Sequence, residues 1–121
     1  MNQFVLHAYK AFKNSWNGLK NAIRSEWAFK IEVVVFLIAI PCAFYLGKNA
    51  MEYILLLNSF FWLLIIELLN SAIETTVDRI GLDHHKLSGL AKDLASAAVL
   101  MAILNLLITW GIILLSNLIG H

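Results

Sequence analysis

From Leu94 to Ile119 the chain runs through 26 consecutive positions without one charged side chain. A helix needs about 20 apolar residues to cross the hydrocarbon core of a bilayer, so this segment predicts a membrane span. Two further segments share the character. Met51–Ile73 opens on a strongly apolar run from Ile54 to Ile66, interrupted only by Asn58 and Ser59. Ile31–Leu46 is apolar but short, with no charge between Val33 and Leu46. Lys30 and Glu32 at its start can extend it by reaching toward the headgroups, and a span tolerates Pro41 where neighbours satisfy the freed carbonyl. Composition agrees: 60% of the 121 residues are hydrophobic and 14% charged, against about a quarter charged in soluble domains. A soluble fold of this size has no interior to hide so much apolar surface.

Residues 1–29 predict a different helix. At about 100° per residue, Val5, Tyr9, Phe12, Trp16, Leu19, Ile23 and Trp27 form one stripe, with Lys10, Lys13, Asn14, Asn17, Asn21 and Arg24 on the other side. An aromatic face opposite a cationic one suits a helix lying in the headgroup region. The predicted fold class is therefore an all-α membrane protein of one domain, residues 1–121. It comprises a surface helix (1–29) and three transmembrane helices (31–46, 51–73, 94–119). Gly47–Ala50 is the first turn, and Asp78–Leu90 a polar connection punctuated by Gly81 and Gly89. No cleavable signal peptide is evident.

Charge distribution sets the expected topology. With three spans, the N-terminal segment and the second loop share a side, and together they carry eight basic residues against Lys48 alone opposite. The positive-inside rule puts that basic side, and the N-terminus, in the cytoplasm. The net charge of +1 offers no field for nucleic acid. The single cysteine, Cys42, excludes an internal disulfide or a cysteine metal cluster.

The chemistry is concentrated at the end of the second span. Glu67, Asn70, Glu74 and Asp78 lie at about 0°, 300°, 340° and 20° around a helix axis, on one face. An unpaired ion within a span costs about 3 kcal/mol or more. Three carboxylates on one face therefore imply a cation, a buried partner or a proton-transfer role, unless they form an interhelical hydrogen-bond stripe at the membrane edge. Glu26, flanking the apolar stripe of the first helix, would meet Glu74 if that helix folds back toward the second span. Carboxylates meeting there suit Mg²⁺, which binds a few carboxylates plus phosphate oxygens and water. Lys92, Asp93 and Ser96 mark the start of the third span, where a lysine can hold phosphate or simply anchor the helix. Asp83-His84-His85 is a weak metal-like tract in the loop. No P-loop, dinucleotide fingerprint or zinc-protease motif occurs. Small residues at Ala91/Ala95 and Ala98/Ala102 permit close helix approach. A channel or holin-like oligomer lined by the carboxylate face is the alternative from outside enzymology.

Glu67-Leu68-Leu69-Asn70-Ser71-Ala72-Ile73-Glu74, Val77-Asp78-Arg79, Leu87-Ser88-Gly89, Ala91-Lys92-Asp93 and Ser96-Ala97-Ala98-Val99-Leu100 resemble the small prokaryotic integral-membrane diacylglycerol kinases. Trp16-x-Gly18-Leu19 and Glu26-x-x-Phe29-Lys30-x-Glu32 extend the resemblance over nearly the whole chain. It implies a homotrimer in the bacterial inner membrane, with composite active sites at the cytoplasmic surface. The implied reaction is MgATP-dependent phosphorylation of diacylglycerol to phosphatidic acid. Carried over by position, Glu67 is similar to the general base, and Glu26 and Glu74 to the Mg²⁺ and ATP ligands. Asp83, His84, His85, Lys92 and Asp93 fall in the nucleotide-contacting region. Trp16, Phe29, Lys30, Glu32, Glu67 and Ser96 fall at positions lining the lipid site. His7, Asn14 and Leu90 depart from the family pattern near the nucleotide, and Lys30 stands for arginine. An undecaprenol kinase on the same scaffold is the nearest alternative activity.

Overall fold

A computed structural model describes residues 2–120 as four helices: α1 (Gln3–Ser25), α2 (Trp27–Leu46), α3 (Ala50–Ile80) and α4 (Lys86–Ile119). Asn2 caps α1, its side-chain oxygen accepting from the Val5 amide at 2.8 Å. The chain then bends at Glu26, whose backbone is extended (φ −98°, ψ 104°). The Ser25 hydroxyl donates to the Asn21 carbonyl in the turn before the bend, a local bond that competes with the helical ladder.

The bend is earlier than the sequence predicts. Trp27–Lys30 join the span rather than the surface helix, and Ile31 lies inside α2 instead of starting it. The change removes the apparent shortness of the first span: 20 residues rise roughly 30 Å, the thickness of a hydrocarbon core. α3 likewise runs past Ile73 without interruption, and the polar connection contracts to residues 81–85. Gly81 ends α3, but Gly89 lies within α4 rather than breaking it. α2, α3 and α4 are all long and apolar enough to cross a membrane.

Packing is closest between α3 and α4, then between α2 and α3. Alanines make the approach possible: Ala39, Ala43, Ala95 and Ala102 are all buried. Phe36 of α2 stacks on Phe60 of α3 with centroids 5.6 Å apart, and Trp110 of α4 meets Phe60 edge-on at 5.8 Å. The Trp110 indole N–H finds partners in the Ser59 hydroxyl (3.1 Å) and the Leu56 carbonyl (3.2 Å). The opposite end is tied by Asn117, whose side-chain amide donates to the Leu46 carbonyl (2.7 Å) and to Glu52 (2.8 Å). Asn49 caps α3, its side-chain oxygen accepting from the Glu52 amide at 3.0 Å while its side-chain amide donates to the Glu52 carboxylate at 3.1 Å.

The accessible surface is 9061 Å², whereas a globular monomer of this mass exposes about 6,600 Å². The surplus is largely apolar side chains of the spans, such as Leu37, Ile38, Leu107, Ile108 and Ile112. Two amides in mid-span, Asn58 and Asn105, also face outward.

Candidate active site

α3 runs unbroken through Glu67-to-Asp78. The Thr75 and Thr76 hydroxyls donate to the Ser71 and Ala72 carbonyls, each at 2.8 Å. The unbroken helix keeps its phase, and the acidic residues keep their common face. Glu67 is buried, 7% exposed. One helical turn on, the Asn70 side-chain amide donates to Glu74 at 3.3 Å, which fixes the Glu74 carboxylate against the helix.

Other helices bring acids to the same place. Glu26 stands at the α1–α2 elbow, and its charge and that of Glu74 both bear on Glu67. Glu32 of α2 interacts electrostatically with Glu67 from another side. A Glu32 carboxylate oxygen and the Asn70 side-chain oxygen are buried without a hydrogen-bond partner. Buried acceptors are nearly always satisfied, so these two point to a missing donor at the cluster.

Two concavities flank the acids. A groove of about 640 Å³ separates α1 from α3, with Ser15, Gly18, Ser25 and Glu26 on one wall and Ser71 and Thr75 on the other. A smaller cleft, about 220 Å³, lies between the end of α3 and the start of α4, lined by Asp78, Asp83, His84, His85, Ser88 and Lys92. His85 is partly committed to structure, since its Nδ1 accepts from the Leu87 amide and caps α4. Lys92 reaches across the cleft to Asp78, Nζ to Oδ1 2.8 Å.

Electrostatic coupling links Glu67 to Glu26, Glu32 and Glu74, and Asp83, His84, His85 and Lys92 line the adjacent cleft. Asp93 and Ser96 are exposed on α4 and line neither. Trp16 is exposed on α1, Phe29 is buried at 2% exposure, and Lys30 is exposed; none of the three lines either concavity. Among the described residues no three histidine, cysteine or acidic side chains are grouped to cage a metal. Two participants escape a reading by residue type. Asn70 and Asp78 were legible as members of the acidic face, but their partners, Glu74 and Lys92, emerge only from side-chain geometry.

Comparison with known proteins decides the family. The model of the prokaryotic diacylglycerol kinase family matches residues 13–114. The chain belongs to this kinase family. The diacylglycerol kinase of Escherichia coli K12 is 49% identical over 108 residues, 89% of this chain and 88% of the relative. That of Haemophilus influenzae Rd is 46% identical over 110 residues, covering 91% and 93%. That of Pseudomonas aeruginosa PAO1 is 45% identical over 98 residues, covering 81% and 80%. Every site residue named above lies within the family match, as do the departures Asn14, Lys30 and Leu90; His7 precedes it. With three helices able to span a bilayer, this family member is a bacterial membrane protein.

Proposed function

We propose that the chain transfers the γ-phosphate of ATP to diacylglycerol, giving phosphatidic acid and ADP. The observation that carries this reading is the burial of Glu67 in a helix able to span a bilayer, two turns from Glu74 on the same face. A buried carboxylate on a membrane helix is close to the only proton acceptor a lipid hydroxyl can meet without leaving the bilayer. Glu67 takes the hydroxyl proton, the alcohol oxygen forms its bond to the γ-phosphorus, and the bond from that phosphorus to the β-bridging oxygen breaks toward ADP. The unpartnered oxygens of Glu32 and Asn70 are acceptors suited to a hydroxyl-bearing substrate.

Glu26 and Glu74 would hold Mg²⁺. Their character fits: hard carboxylate oxygens, few in number, with Glu74 steadied by Asn70. Mg²⁺ is commonly held by one or two carboxylates together with nucleotide phosphates and water. When bound, Mg²⁺ neutralises charge on the transferring phosphoryl group. Lys92 assists at the phosphates, with Asp83, His84, His85 and Asp93 on the nucleotide side. Trp16, Phe29, Lys30 and Ser96 attend the lipid, brought together across subunits.

A homotrimer completes this account. The outward amides of Asn58 and Asn105 are costly against lipid, and a partner helix would satisfy them. The basic excess on one side supports a cytoplasmic N-terminus and a cytoplasmic site, where ATP is available.

The test is transfer of labelled phosphate from ATP in mixed micelles containing diacylglycerol and undecaprenol together. Preferential labelling of diacylglycerol is expected. Preferential labelling of undecaprenol would move the substrate assignment to the prenol, and ion flux in liposomes without ATP turnover would remove the kinase reading.

A further inference from the structure

Asp78 and Lys92 form the only ion pair among the described residues. Both are about half exposed, with side-chain exposures of 48% and 43%. A pair so exposed contributes between nothing and about 1 kcal/mol to stability, which makes it a poor device for holding α3 to α4. The buried alanines and aromatic contacts already do that. Its consequence is geometric. Both members line the small cleft, and the pair ties the end of a long, flexible side chain to its wall.

We propose that Asp78 is a positioning residue: it holds the Lys92 ammonium over the cleft so that its remaining N–H donors meet the phosphates of the nucleotide. The inference rests on the role assigned to Lys92 above. An ammonium has three donors, and Lys92 uses one of them on Asp78. Two are left for phosphate oxygens. Asp78 also decides where the lysine does not go. Glu74 is the other carboxylate whose charge reaches Lys92. Without Asp78, the ammonium would be free to turn toward Glu74, which would hold Mg²⁺ in the function proposed above; Asp78 would thereby keep the two positive charges apart.

The experiment is a double-mutant cycle on the full-length protein in mixed micelles, comparing wild type, Asp78→Asn, Lys92→Gln and the double variant. KM for MgATP, KM for diacylglycerol, kcat and the free Mg²⁺ required for half-maximal rate are measured for each. Asp78→Asn is expected to raise KM for MgATP about three- to fivefold, the range open to so exposed a pair. It should also raise the Mg²⁺ requirement while leaving KM for diacylglycerol unchanged. In the Lys92→Gln background the same substitution should do nothing further, and Asp78→Glu should restore near wild-type values. Equal effects of Asp78→Asn in both backgrounds, or parallel losses for both substrates, would overturn the inference alone. An unchanged KM for MgATP in Lys92→Gln would overturn it together with the phosphate-binding role of Lys92.

Discussion

Glu67 and Asn70 show how much a single side chain can carry in this molecule. Glu67 is a charged residue type sealed from solvent, and Asn70 steadies the Glu74 carboxylate with its amide while leaving its own oxygen buried and unpaired. Asn70→Ala should therefore harm catalysis more than folding. Its one modest hydrogen bond to Glu74 is worth roughly 1 kcal/mol, whereas a carboxylate proposed to hold Mg²⁺ would, once free to rotate, lose the geometry that phosphoryl transfer depends on. A fall in kcat of about tenfold or more, with a raised Mg²⁺ requirement and a melting temperature close to wild type, is the expected result. Steady-state kinetics across a Mg²⁺ titration and thermal unfolding in detergent check it. The common face of Glu67, Asn70, Glu74 and Asp78 was legible in the spacing alone, because helical phase is a local property. The Asp78–Lys92 pair was not. Its members are separated by a loop whose closure depends on where α3 ends and α4 begins.

At the scale of elements, long apolar periodicity located α3 and α4, but their ends were hidden. α3 stays helical through its polar stretch, so the expected connection from Asp78 contracts to five residues. The elbow at Glu26 has no glycine or proline to announce it; only the Ser25 bond to Asn21 precedes it. Gly47 does have a positional reason. A Cβ there would lie 2.7 Å from the Tyr53 ring, inside the hairpin that joins α2 and α3. Gly47→Val should push the ring away or open the turn, with a loss of about 1–3 kcal/mol, as overpacking typically costs. Asn117→Ala removes two hydrogen bonds at the same end of the bundle and should destabilise by about 1–3 kcal/mol, leaving the Leu46 carbonyl and Glu52 short of a donor. Unfolding followed by circular dichroism in detergent measures both. Because this clasp lies at the end of α3 remote from Glu67 and Glu74, the folded fraction of either variant should keep its KM for MgATP.

The whole molecule looks incomplete as a single chain. Its surface is too large and too apolar for water, and two amides face outward in mid-span. Lipid accounts for the apolar excess, and the homotrimer proposed above would cover the amides. The central claim is that Glu67, and not merely a charged patch, removes the proton from the lipid hydroxyl. Glu67→Gln tests it most directly, since glutamine keeps the shape and hydrogen-bonding capacity but is not a base. Single-turnover transfer from bound MgATP to diacylglycerol should slow by about 10²-fold or more, while MgATP binding, followed by equilibrium dialysis, stays within a factor of about two of wild type. Undiminished transfer in Glu67→Gln would contradict the account.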